Sequence, residues 1–324
     1  MSVIRLNFDM DMEAVRKPPL KNTPVSLHNR LLASVAGPFL AACCTLLPVL
    51  WAHADTRAAS GAVPRTLVYP RSEEEEDRRD DYPVQLLALA LSKAGRQDGL
   101  LPHALFMLQA RSIRELEQGR WLDVIWTMTS TEREAALLPI RIPIDRGLLG
   151  WRLLLVRASE LPRLAQVRGL VDLQALRAGQ GADWPDTTIL RAAGLNVDES
   201  ARYGDLFRKL GAGRIDYFPR GLQEIWSELD QHRSEGLAAE PRLALHYPTA
   251  MYFFVNKRDT ALAADITRGL ERALRDGSFD ALFQRHFGAQ IKRAGLNERQ
   301  VIELRNPLLP AQTPLADARL WYRP

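Results

Sequence analysis

The residues best placed to do chemistry are Thr127, Thr129, Ser130 and Arg133, which lie within one short stretch, Leu122 to Arg133. The stretch opens as an apolar, β-prone run, Leu122 to Trp126, that reads as a buried strand. It turns polar at Thr127 and ends on an arginine as the helix-forming run Glu132 to Leu138 begins. In open α/β sheets, ligands sit outside the carboxyl ends of strands. Hydroxyls, free N–H groups near a helix start and one planar guanidinium suit a carboxylate or a phosphate. The alternative is a plain helix start with an exposed arginine on its first turn.

A second candidate lies further on. Gly179-Gln180-Gly181-Ala182-Asp183-Trp184-Pro185-Asp186 reads as a glycine-bearing loop entering a helix over Thr187 to Ala193. It lacks the third glycine of a dinucleotide fingerprint, and its acidic residues suit pyrophosphate poorly. A plain helix-entry loop is the competing reading. Ser72 to Asp81 carries seven carboxylates against Arg78 and Arg79. Such mixed charge runs are usually solvated, so no metal site is assigned there. No nucleophile motif appears. The histidines His103, His232, His246 and His286 all fall outside the candidate cleft segments. Nothing calls for a cofactor, and the chain reads as a non-enzyme.

Composition sets the frame. The chain has 324 residues, 46% hydrophobic and 25% charged, enough for two medium lobes. The net charge is +4, but half of that surplus comes from the first 54 residues. The remainder shows no basic block with interleaved aromatics, so nucleic acid is not a partner. Leu31 to Trp51 is apolar and uncharged, with Arg30 before it and Ala52-His53-Ala54 after it. Charged start, apolar centre and A-x-A end make a secretory signal with cleavage after Ala54, and hence a periplasmic protein. A retained anchor is the alternative, in which case the uncleaved segment is the only contact with a membrane. Leu40-Ala41-Ala42-Cys43 also resembles a lipoprotein box, though apolar residues continue past it. Cys43 and Cys44 both lie in this segment, so the mature chain has no disulfide framework or thiol nucleophile.

The elements that must position the candidate residues follow in order. Thr66 to Tyr69 reads as a strand, Val84 to Ala94 as a helix stopped by Gly95, and Ala104 to Ala110 as a strand. Ser112-Ile113-Arg114-Glu115 has the form of a capping box opening a helix. Gly150 to Val156 reads as a strong strand, Tyr203 to Leu210 as a helix and Met251 to Val255 as a strand. Ala261 to Leu274 and Phe279 to Phe287 read as helices, and Ile291 to Pro324 as a proline-containing tail lying over the body. Strand–helix alternation implies mostly parallel sheets. One unit occurs twice: Leu116 to Trp126 and Leu210 to Gly221 both read leucine, two residues, Gly-Arg, then an apolar run with one aspartate.

These residues carry a resemblance. Gly119-Arg120 through Arg133, Gly213-Arg214-Ile215-Asp216, and Tyr252 to Lys257 through Asp276-Gly277-Ser278-Phe279 resemble, in order and spacing, the type II periplasmic solute-binding proteins, in particular the amino-acid-binding group of ABC importers. The resemblance spans roughly residues 64–288. It implies an α/β fold of two lobes joined by two crossovers, near Val156 and Tyr247. The implied organisation is a signal-bearing extension over 1–54, lobe 1 over 60–155 and 248–290, lobe 2 over 156–247, and a tail over 291–324. It implies that Arg133 holds a ligand carboxylate with help from Thr127, Thr129 and Ser130. Tyr69, Arg71, Trp126 and Met128 join that wall, with Trp184, Asp186, Phe218 and Arg220 across the cleft. An ABC permease or a sensor protein is the implied partner, and the alternative is a dehydratase-like periplasmic enzyme or a membrane-anchored sensory module on the same fold. One departure stands out: amino-acid binders carry an aspartate for the ligand ammonium five residues after the position of Asp216, where this chain has Gly221. An anionic, dicarboxylic or aromatic ligand is therefore as well suited as a standard amino acid.

Overall fold

The computed structural model describes residues 65–71 and 80–324. The signal segment, its cleavage site, both cysteines and most of the acidic run after Arg71 lie outside the described residues. Among the described residues, no helix is long and apolar enough to cross a membrane.

The chain builds two lobes. In the smaller, β1 (Thr66–Arg71) pairs parallel with β2 (Gly99–Phe106) across α1 (Asp81–Lys93). Helix α2 (Gln109–Glu117) then leads into β3 (Val124–Met128), and α3 (Thr131–Ala136) into β4 (Leu138–Ile140). Much later, β10 (Met251–Val255) returns between β3 and β4, antiparallel to both. Both faces of β3 and β10 are covered, so their sequences read as continuous apolar runs rather than alternating ones.

The larger lobe holds a six-stranded sheet, ordered β11-β9-β5-β8-β6-β7. It starts with β5 (Trp151–Arg157), followed by the short helices α4 (Leu161–Leu164) and α5 (Leu170–Gln174). Next come β6 (Arg177–Gly181), α6 (Pro185–Ala192), β7 (Asn196–Ser200), α7 (Tyr203–Gly211) and β8 (Tyr217–Gly221). Helix α8 (Ile225–Gln231) leads to β9 (Leu237–His246). After β10, the helices α9 (Thr260–Arg275) and α10 (Ser278–Ala294) pack on the smaller lobe, and β11 (Gln300–Glu303) rejoins the larger sheet beside β9.

Several expectations are corrected. The sheets are mixed, because β5 runs antiparallel to both β8 and β9, as β10 does to its neighbours. The first change of sheet falls between Ile140 and Trp151 rather than near Val156, so all of β5 belongs to the larger lobe. Ser112 does not cap a helix: α2 starts at Gln109, and the Ser112 hydroxyl donates back to the Leu108 carbonyl. Strand β2 ends at Phe106, and Gly179 to Gly181 belong to a strand rather than a loop. The segment after Ile291 contributes the end of α10 and an edge strand.

The repeated unit folds the same way twice. Gly119 (φ 65°) and Gly213 (φ 72°) both take the left-handed conformation that ends α2 and α7. Asp123 then clips β1: its N–H donates to the Val68 carbonyl and its carboxylate accepts from the Val68 N–H, both at 2.8 Å. Asp216 treats Arg177 in the same manner, at 2.8 and 2.7 Å.

Candidate functional site

A cleft of about 570 Å³ opens between the carboxyl ends of β3 and β8. One wall carries Arg71, Trp126, Thr127, Met128 and Arg133 from the smaller lobe; the other carries Arg152, Trp184, Asp186, Arg220 and Glu224 from the larger.

Arg133 is buried, at 8% exposure, yet lines the cleft. Its backbone N–H donates to the Ser130 hydroxyl, which caps α3 at 3.1 Å. Its Nη1 donates to Thr127 Oγ1 at 2.6 Å and to the Met128 carbonyl at 2.9 Å, and its Nη2 to Gln109 Oε1 at 2.5 Å. All three acceptors are neutral. Three of the five guanidinium N–H groups are thus used, leaving two. Among the described residues, no carboxylate is close enough to form an ion pair with it. Burial therefore lowers its pKa to about 10, with partial opposition from Asp183, Asp186 and Glu132 at longer range. The group stays charged at neutral pH, and its charge is only partly compensated.

The opposite wall is built the other way. Arg220 is fully buried and holds Glu228 through Nη2 (2.6 Å) and Nε (2.8 Å), with Glu224 3.2 Å from Nη2. Arg152, at the start of β5, pairs with Asp186 at 2.5 Å and donates to the Tyr247 hydroxyl at 2.8 Å. Tyr247 in turn donates to Asp186, and Glu224 lies 3.5 Å from Arg152. Burial works to lower the pKa of both arginines, but the surrounding carboxylates outweigh it and hold both above the usual value. The Arg220 guanidinium also lies 5.0 Å from the Trp184 ring centre and 4.5 Å from that of Phe218.

The chain passes between these two walls after β4, after β9 and again before β11. Comparison with solved structures gives the same architecture. An ancestral arginine-binding protein bound to glutamine superposes with a TM-score of 0.54 at 18% identity, covering 70% of this chain and 100% of that one. A periplasmic binding protein of Salmonella typhimurium with high arginine specificity gives 0.52 at 14% identity, over 69% and 100% of the two chains. A histidine kinase sensor domain similar to periplasmic binding proteins gives 0.52 at 18% identity, over 70% and 97%. The fold is that of the type II periplasmic binding proteins. No protein-family model matches the sequence, and no curated protein does.

Within this cleft, the residues named from sequence fall into two groups. Arg71, Trp126, Thr127, Met128, Arg133, Trp184, Asp186 and Arg220 line it. Tyr69, Thr129, Ser130 and Phe218 do not. Tyr69 packs behind Trp126, with ring centres 5.4 Å apart, and Phe218 lies behind Trp184 at 6.4 Å. The Thr129 hydroxyl turns to Glu134 at 2.8 Å, and Ser130 is spent on the cap. The expected convergence of N–H groups is also corrected. The Thr129 N–H donates to the Ala250 carbonyl and that of Thr131 to the Leu308 carbonyl. What this turn offers an anion is the Arg133 guanidinium rather than the backbone N–H groups of Thr129 and Thr131. Asp186 reaches the cleft already paired with Arg152, and Arg220 with Glu228 and Glu224.

Sequence reading missed Arg152, Asp145, Glu224 and His286, all of which line the cleft. Arg152 was visible as a charge inside the apolar run Trp151 to Val156. His286 contradicts the placement of every histidine outside the cleft. Its ring packs edge-on against Tyr82, its Nε2 lies 3.1 Å from Gln85 Oε1, and burial lowers its pKa. Asp145 is buried and accepts from the Gly147 and Leu149 N–H groups; burial nevertheless raises its pKa to about 6. Among the described residues, no group of three or more metal-ligating side chains is found.

Proposed function

We propose that this chain is an exported receptor that captures a small ligand bearing a carboxylate or other anionic group, for ABC uptake or for signalling. The observation that carries the reading is Arg133: a buried cation on the cleft wall with two N–H groups unspent and no counter-ion among the described residues. A buried charge is costly unless paired. An anion seated on that guanidinium supplies the missing partner, and a carboxylate fits the fork in two bonds. Strands β1–β4 and β10 with α9 and α10 form one jaw, and the six-stranded sheet with its helices the other.

The type II fold supports a binding role, and the neighbours include binding proteins for amino acids as well as a sensor domain. Both uses need the same cleft, so the partner is a permease or a signalling protein. We read the cleft as binding rather than catalytic because the neighbours in fold are binding proteins and a sensor domain. Export through the Arg30 to Ala54 segment places the protein in the periplasm.

The test is a thermal-shift panel of arginine, lysine, glutamine, dicarboxylates and aromatic carboxylates. A ligand at 100 times its Kd stabilises the fold by roughly 2.7 kcal/mol. The reading predicts that at least one carboxylate raises the Tm and that its uncharged amide does so less. If amides and carboxylates shift the Tm equally, the anion site is wrong.

A further inference from the structure

The two crossovers of the fold lie side by side. The Tyr247 N–H donates to the Gly150 carbonyl at 3.2 Å, and a Cβ on Gly150 would come within 2.3 Å of the Tyr247 carbonyl oxygen. Motion between lobes is absorbed by a few backbone angles in such connections. Here the C-terminal segment covers both of them.

After α10 the chain leaves the smaller lobe. Arg299 donates to the Ala294 carbonyl at the end of α10, and to the Glu240 and Leu243 carbonyls of β9. Strand β11 then extends the larger sheet. From there the chain turns back across the hinge. The Leu304 N–H donates to the His246 carbonyl at 2.7 Å, and Asn306 Nδ2 to the Pro248 carbonyl at 2.9 Å, both at the second crossover. The Leu308 carbonyl accepts from the Thr131 N–H, in the turn that carries Arg133. At the first crossover, Arg146 (φ 53°) and Gly147 (φ 74°) form a left-handed turn. The Trp321 ring lies on Gly147 so closely that a Cβ there would meet it at 2.6 Å, and the Tyr322 N–H donates to the Arg146 carbonyl at 2.8 Å. Trp321 Nε1 donates to the Pro314 carbonyl at 2.9 Å, which closes the segment on itself. Leu304 and Leu320 are both buried, in two different apolar clusters, and the one that takes Leu320 contains residues of both lobes.

We propose that Leu304–Pro324 is a hinge strap, a third tie between the lobes that limits how far they part without ligand. The geometry that carries it is the attachment of one segment to both crossovers, to the larger sheet and to the turn holding Arg133. Lobe opening that changes backbone angles at 146–150 or 247–250 must break the contacts of Trp321, Tyr322 or Asn306. The strap works whether or not Arg133 binds an anion, so its test needs no ligand.

The experiment is a pulsed electron–electron distance measurement on the ligand-free full chain, with Cys43→Ser and Cys44→Ser, and spin labels at Glu117→Cys and Arg208→Cys. These exposed positions lie on α2 and α7, one in each lobe. The strap predicts one narrow distance distribution for the intact chain and an added longer component in Trp321→Ala. An unchanged distribution in folded Trp321→Ala overturns the proposal. Should Trp321→Ala fail to fold, Asn306→Ala, which removes one tie to the second crossover, is read in the same way: broadening towards longer distances supports the strap, and no change overturns it.

Discussion

The two copies of the Gly-Arg–aspartate–strand unit deliver arginines to opposite walls of one cleft, and those arginines are in opposite electrostatic states. Strand β3 and its turn bring Arg133, which meets a hydroxyl, a carbonyl and an amide. Strand β8 brings Arg220, which meets two carboxylates. The local architecture is the same in both, down to the aspartate that clips the neighbouring strand. What differs is the next helix: α8 supplies Glu228 to Arg220, with Glu224 just ahead of it, whereas α3 turns Glu134 to Thr129 and Arg141. The larger-lobe wall is therefore electrostatically complete as it folds, and the smaller-lobe wall is not. Burial of both arginines alone does not separate them; the identity of their partners does.

The comparison breaks most readily at Arg220. Arg220→Ala leaves Glu228 buried without its cation and should destabilise the fold by about 3–5 kcal/mol, measured by urea unfolding. Replacing both Arg220 and Glu228 with apolar residues of similar volume should cost less than the single change, since no orphan charge remains there. Equal costs would mean that packing, not pairing, dominates at this wall.

Next in size is Asp145, beside the first crossover. Its folded pKa of about 6 lies above its unfolded value, so the fold favours the protonated form. That stabilisation is complete below about pH 4 and is lost as pH rises through about 6, a difference of about 3 kcal/mol. Relative to Asp145→Asn, wild type should lose stability across that window. Parallel unfolding profiles at pH 4 and 7 would contradict it. The smallest effect is expected at Ser130, where the alanine variant removes the cap of α3 and should cost about 1 kcal/mol. The same chemical denaturation series reads it, and a loss several times larger would mean that Ser130 does more than cap the helix that orients Arg133.

How much of this was legible depends on where the signal was local. The β3 stretch, the repeated unit and the Arg133 position were readable because strand, turn and helix start follow within twelve residues. Strand β9 was hidden by Pro241. The structure accommodates that proline in a bulge: the pairing with β5 jumps from Ala244 to Ala239, and Glu240 caps the Arg242 and Leu243 N–H groups. Strand β7, Asn-Val-Asp-Glu-Ser, is a polar edge strand with no apolar run to mark it. The pairing of Arg220 with Glu228 joins a strand to the helix after it, so no local spacing announces it; that the two face each other rather than a ligand depends on how α8 packs. The contacts of Trp321 with Gly147 join residues far apart in the sequence, and no local pattern announces them.

The most direct test of the account is calorimetric titration of the anionic ligand found by the panel into wild type, Arg133→Ala and Arg133→Lys. A charge-assisted bond of this kind contributes roughly 1.5–3 kcal/mol, so Arg133→Ala should weaken binding about ten- to a hundredfold or more. Arg133→Lys should recover only part of that, because an ammonium cannot make the paired fork. Both variants should unfold at a denaturant midpoint close to that of wild type, since neither leaves a carboxylate orphaned. An Arg133→Ala protein that folds and binds the ligand as tightly as wild type would contradict the account.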